Sequence, residues 1–204
     1  MALAALLDET GPDGPTLCAG WQTRDLAAHL VLRERRPDAA AGAMGGPLAG
    51  RTARVQRQYR QKYSYPELIA LFKAGPPVLS AFTIPGVDEA VNTVEYFVHH
   101  EDVRRAVPGW TERELDDGLN AVLWRRLRGA RLFLRSAPTG VVLSWERDGA
   151  HAGLQHVLKH ASPSVTVTGA PAELTLWSLG RASAAHVTLD GPGEAVDRLA
   201  DWRR

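Results

Sequence analysis

Glu95 and His99 stand four positions apart in the segment Asn92-Thr93-Val94-Glu95-Tyr96-Phe97-Val98-His99-His100-Glu101-Asp102. On a helix this spacing puts both side chains on one face, so two ligand atoms can converge without help from a loop. A third ligand has to come from another helix, and His29 suits the part because its neighbours Leu26 and Leu30 place it near the buried side of its own helix. Together the three make a His2Glu set. Three protein ligands with a vacant corner is the pattern of a catalytic or substrate-binding metal, since a structural zinc site closes all four positions with protein groups. Zn²⁺ fits this mix of nitrogen and oxygen, and Ni²⁺, Co²⁺ and Fe²⁺ would be bound by the same set. Spacing alone leaves two other readings open: a solvated helical pair for Glu95 and His99, and a satisfied core histidine for His29.

Around the helix His99 lies about 40° from Glu95 and His100 about 140°, so His99 is the expected ligand. His100, Asp25 and Asp102 read as groups that support the ligands or lie on the surface. Cys18, in a loop before the first ligand, reads as a small buried hydrophobe rather than a redox thiol or fourth ligand. His151, His156 and His160 fall in a β region where they would not share a face, and they read as surface histidines. The six tryptophans are scattered, as core anchors are, with no interleaving of aromatic and basic residues to stack bases.

The elements that must position these groups can be read in order. A short helix, 2–9, leads into a Pro- and Gly-containing loop, 10–20. Thr23 is expected to cap the helix that carries His29, with Asp25 in its first turn and Pro37 stopping it after Arg36. An Ala/Gly-rich stretch, 38–50, precedes an arginine-rich helix from Arg51 to Tyr63, and Pro66 opens a helix that ends by Gly75. Asp88 is expected to cap the helix from Glu89 to Ala106 that carries Glu95 and His99, after an irregular link ending in the Ile84-Pro85-Gly86 turn. A long helix is expected from Glu112 to Arg135, with Leu115, Leu119, Val122, Leu123, Leu127, Ala130 and Leu134 as its core stripe. The period then changes to short alternating runs at 141–145, 154–158, 165–168 and 186–189, interrupted by helices at 171–179 and 194–202. The expected class is α+β, with a helical domain over 1–137 and a small α+β module over 138–204.

Composition narrows the function classes. A net charge of +1, from 24 Lys+Arg against 23 Asp+Glu, with the arginines dispersed, gives nucleic acid no special claim as partner. No apolar stretch approaches the ~20 residues of a membrane span, and the first residues lack a secretory pattern, so a cytoplasmic protein is expected. Cys18 is the only cysteine, which excludes an internal disulfide and a cysteine-rich zinc site.

The stretch Leu17-Cys18-Ala19-Gly20-Trp21-Gln22-Thr23-Arg24-Asp25-Leu26-Ala27-Ala28-His29-Leu30, paired with 92–105, resembles the actinobacterial metal-binding proteins related to mycothiol-dependent maleylpyruvate isomerase, within the DinB-like superfamily. The run from Val165 through Arg181 is similar to that family's C-terminal module, so the resemblance covers nearly the whole chain. It implies a DinB-like four-helix bundle followed by a sterol-carrier-like module. It also implies zinc at His29, Glu95 and His99, and a metal that binds and activates the thiol of mycothiol or a related small thiol for isomerisation or S-transfer on a small electrophile. Arg181 is the position implied for contact with an anionic substrate, against the plainer reading of a surface arginine after a helix-capping glycine. The sequence is shorter at its start than the isomerase, so a clipped first helix is expected. Two other functions compete: a non-catalytic metal- or ligand-sensing module, and a hydrolase using metal-bound hydroxide, for which no general base is evident.

Overall fold

The computed structural model describes residues 2–36, 47–77, 88–146 and 153–203, with only the backbone described for 88–91. Pro37, the Ala/Gly stretch 38–46, the Ile84-Pro85-Gly86 turn and His151 lie outside the described residues, as does any capping by the Asp88 side chain. The chain divides into two compact units, Met1–Thr111 and Glu112–Arg204. It is a mixed α+β protein, and no helix among the described residues is long and apolar enough to cross a membrane.

The first unit is helical: α1 (Ala2–Thr10), α2 (Thr23–Arg35), α3 (Ala49–Lys62), α4 (Tyr65–Lys73) and α5 (Asp88–Arg104). Its apolar core joins Leu3 and Leu7 of α1, Leu26, Leu30 and Val31 of α2, Leu68, Ile69 and Phe72 of α4, and Val103 of α5. Full burial of each such leucine stabilises the fold by about 1.5–3 kcal/mol. α2 is the central helix: every residue from Leu26 to Glu34 is buried. A helix enclosed on all sides cannot leave His29, Arg33 or Glu34 facing water, so each needs a polar partner inside.

α2 starts differently from the expectation. The cap is Gln22, whose backbone N–H donates to Asp25 Oδ2 at 3.1 Å, and Thr23 is the first helical residue. The Thr23 hydroxyl is taken by the preceding loop instead, donating to Gly11 O and accepting from Gly14 N–H at 3.1 Å. Serving the loop leaves it unable to serve the helix end. α4 is capped by Ser64, whose N–H donates to Glu67 Oε2 at 2.7 Å, with Pro66 in the first turn as expected.

The second unit begins with α6 (Asp117–Arg126), a 3₁₀ turn (Leu127–Ala130) and α7 (Arg131–Leu134). The single long helix expected from Glu112 to Arg135 is therefore corrected: it starts five residues later, where Asp116 accepts from Leu119 N–H at 2.9 Å, and it tightens at the turn containing Gly129. Leu123, Leu127, Ala130 and Leu134 still form one buried stripe. β1 (Gly140–Trp145), β2 (Gln155–Lys159), β3 (Ser164–Gly169) and β4 (Thr188–Asp190) form a sheet in the order β2-β1-β3-β4. β1 and β3 are parallel, with Val141 opposite Val165 and Leu143 opposite Val167, and the outer pairs are antiparallel.

Alternation along β1 and β3 sends Val141, Leu143, Trp145, Val165 and Val167 to one face. There they meet Leu174 and Trp177 of α8 (Pro171–Ser178), Leu199 of α9 (Gly193–Arg203), and the stripe of α6 and α7. Because Trp124, Leu127, Ala130 and Leu134 belong to this core, the compact units divide between Thr111 and Glu112, upstream of the boundary read near residue 138.

Candidate metal centre

The site lies in the first unit, between α2, α5 and the loop that joins α1 to α2. That loop is fixed at its start and at its middle. Its start is held by Thr23, and Leu17 N–H donates to the Asp102 backbone carbonyl at 2.9 Å, pinning the loop to α5. Trp21 then stacks at a tilt on the His29 ring, 5.2 Å between centroids.

The structure brings His29, Glu95 and His99 together, with one ligand atom from each lying within 4.8 Å of the others. His29 and His99 meet edge to face at 5.2 Å, and His99 Nε2 lies 3.3 Å from Glu95 Oε2. Two ligand atoms on one tetrahedral Zn²⁺ would be about 3.4 Å apart, so the Glu95–His99 gap already matches a shared cation. The other ring nitrogen of His99 is engaged: Nδ1–H donates to Asp102 Oδ2 at 2.9 Å. That bond fixes the tautomer and turns Nε2 towards Glu95 and His29, the carboxylate–histidine arrangement that commonly backs a metal ligand. The donor set therefore fits a divalent cation.

A second group of potential ligands, Cys18, His99 and Asp102, shares His99. The two groups differ in what their side chains already do. Cys18 Sγ donates to Asp102 Oδ2 at 3.1 Å, so those two side chains already engage each other, and the Asp102 side chain is fully enclosed. The Glu95 side chain is 33% exposed, which leaves an approach for a small molecule.

Electrostatics follow the geometry. Burial pushes the Glu95 carboxyl up, but its hydrogen bond to His99 and the charges of His99, Arg33 and His29 outweigh this and hold it down at about 2. Burial pushes His99 down, but hydrogen bonds to Asp102, Cys18 and Glu95 and the Asp102 charge carry it well above the ordinary histidine range. In the cation-free protein the cluster thus keeps a proton on His99, which a metal would displace.

Sequence reasoning missed two contributors, Arg33 and Asn92. Arg33, one turn beyond His29, has Nε 3.7 Å from Glu95 Oε2, and its Nη1 donates to Asn92 Oδ1. The signal was available: Arg33 follows His29 by four positions, and Asn92 precedes Glu95 by three. Of the groups read as support or surface, Asp102 is the support of His99. Asp25 instead binds Arg60 Nη1 at 2.8 Å, and His100 lies 3.7 Å from Glu101 Oε1.

Arg181 lies in the second unit, past the end of α8. Gly180 adopts φ +91°, Arg181 N–H bonds back to Leu176 O at 2.9 Å, and Arg181 Nη1 donates to Leu179 O at 2.7 Å. This is a glycine-terminated helix end. His156, read as a surface histidine, is buried: its ring stacks on Trp124 at 4.1 Å and Nε2–H donates to the Trp124 carbonyl at 3.0 Å. His160 is exposed as expected.

No curated protein and no solved structure matches the chain. A family model does, the mycothiol maleylpyruvate isomerase N-terminal domain, over residues 1–130. That span takes in both ligand helices and the loop between α1 and α2, and the chain belongs to the mycothiol maleylpyruvate isomerase N-terminal domain family.

Proposed function

We propose that the protein is a metal-dependent transferase or isomerase that binds a low-molecular-weight thiol such as mycothiol and activates it for attack on a small electrophile. His29, Glu95 and His99 are the proposed ligands, and Zn²⁺ the proposed cation. The observation that carries this reading is the convergence of those three ligand atoms within 4.8 Å on a cluster that opens to solvent at Glu95. When bound, the cation would supply Lewis acidity, lowering the pKa of a thiol in the vacant corner so that it reacts as thiolate.

The chain's own residues supply the rest. Asp102 holds His99 in the tautomer that presents Nε2, and Cys18 and Leu17 hold Asp102. Trp21 lies against one side of the His29 ring. Arg181 is the proposed contact for an anionic electrophile. The finer fold reading, a DinB-like four-helix bundle followed by a sterol-carrier-like module, belongs to this proposal, supported by the family match and by the sheet-and-helix make-up of the second unit.

Thiol chemistry is favoured over hydrolysis because the acidic neighbour Glu101 is committed elsewhere. It is buried and held by Arg105 Nε at 2.8 Å and Arg104 Nη1 at 3.1 Å, so it is not poised as a general base. The test is elemental analysis of protein purified without an affinity metal column, then thiol titration and assay with mycothiol and a panel of electrophiles. Stoichiometric metal, thiol binding and conjugation or isomerisation are expected. Metal without thiol binding or turnover would leave a non-catalytic module instead.

A further inference from the structure

α2 and α5 face each other across the site with more than ligands. His29 and Arg33 lie one turn apart on α2, and Asn92, Glu95 and His99 follow along α5 at spacings of three and four. Arg33 and Asn92 are buried, 7% and 8% exposed. The guanidinium spans the two helices, with Nη1 on Asn92 Oδ1 and Nε 3.7 Å from the Glu95 oxygen that also faces His99. A permanent positive charge is thus enclosed beside a cluster whose chemistry is to hold a cation. Burying an arginine there is costly on both counts, since the charge loses water and repels the metal.

Resting on the metal-and-thiol reading above, we infer that Arg33 is a positioning and selectivity residue: it steers Glu95 and adds a fixed positive charge that makes the vacant corner prefer an anionic ligand, a thiolate or carboxylate, over water or a neutral thiol. The charge count supports the direction. Two neutral imidazoles and the Glu95 carboxylate around a divalent cation leave a net charge of +1, the enclosed Asp102 carboxylate beside His99 brings the local total to 0, and Arg33 returns it to +1. Arg33 also sets a trade. Glu95 is shared between the guanidinium and the cation, so Arg33 weakens metal binding while strengthening binding of the anion that follows.

That trade separates the inference from a merely structural role. The test uses Co²⁺, whose thiolate complexes absorb in the near ultraviolet, with 2-mercaptoethanol as a thiol carrying no other charge. In Arg33→Gln the Co²⁺ affinity should rise about tenfold, while the pH midpoint for the Co–thiolate band should move up by about one unit, as expected for removing one nearby charge in a partly shielded site. Arg33→Lys, which keeps the charge, should stay close to the parent in both. Asn92→Asp, which sets a carboxylate against the guanidinium, should shift both readouts in the same directions as Arg33→Gln. If Arg33→Gln and Arg33→Lys weaken Co²⁺ and thiol binding together, Arg33 is only a packing group and the inference is overturned. If the unaltered protein binds no Co²⁺, the metal reading itself falls and this inference with it.

Discussion

His99 in the helical unit and His156 in the sheet unit are buried to nearly the same degree, 7% and 8% exposed, yet their surroundings drive them apart. His99 meets carboxylates on both ring nitrogens, Asp102 at 2.9 Å and Glu95 at 3.3 Å, and is carried well above the ordinary histidine range against the pull of burial. His156 lies flat on Trp124 with a backbone carbonyl as its hydrogen-bond partner, and burial with the Arg128 charge pushes it down. One unit keeps a charged centre inside a helical core, and the other has absorbed its histidine into an apolar wall. Burial alone does not make a functional histidine; the partners on its two nitrogens do.

The comparison breaks most sharply if the ligands are removed. His99→Ala or Glu95→Gln should lower divalent-metal affinity by at least about a hundredfold, more than loss of a supporting group costs, as read by chelator competition. His156→Gln should leave that affinity unchanged, and a similar loss there would erase the distinction. Next in size is Asp102→Asn, which takes the acceptor charge from His99 Nδ1 and should cost about ten- to a hundredfold in metal affinity. The same titration run against pH should show binding weakening as pH falls, because the cation must displace the His99 proton.

Stability without metal sharpens the contrast with smaller effects. The folded pKa of His99 lies above the unfolded value, so its contribution is full below about pH 6.5 and is lost as pH rises through the folded value. His156 has the opposite sign: its folded pKa is depressed, so its contribution is present above about pH 6.5 and is lost as pH falls. Urea midpoints taken across pH 5 to 9 should therefore flatten on the alkaline side in His99→Ala and on the acid side in His156→Gln. The smallest effect is expected from Arg181→Ala, about a fivefold rise in KM for an anionic electrophile, the worth of one partly exposed charge contact. A fall in kcat with unchanged KM would instead remove Arg181 from substrate contact.

What was legible in the sequence was local. Glu95 and His99 share a face because the helical repeat puts them there, and His29 stands among leucines on a helix that proves to be buried all round. The alternation at 141–145 and 165–168 located two neighbouring strands for the same reason. Asp102 was legible in part, since it follows His99 by three positions on the same helix. What escaped depended on partners distant in the chain, such as the tie between Asp102 and the sulfur of Cys18, 84 positions away. His156 is buried because Trp124, 32 positions earlier, provides the stacking surface. The break in the helix after Arg126 had a local mark, Gly129, but the unbroken leucine stripe outweighed it.

The tether between the α1–α2 loop and α5 gives the loop a share in whatever happens at the cluster. Leu17 N–H is shielded from solvent exchange only while it stays bonded to the carbonyl of Asp102, the residue whose side chain orients His99. Cation binding that stiffens α5 at this point should therefore slow deuterium uptake at Leu17 and Cys18, making a surface loop a reporter of occupancy two bonds removed from any ligand.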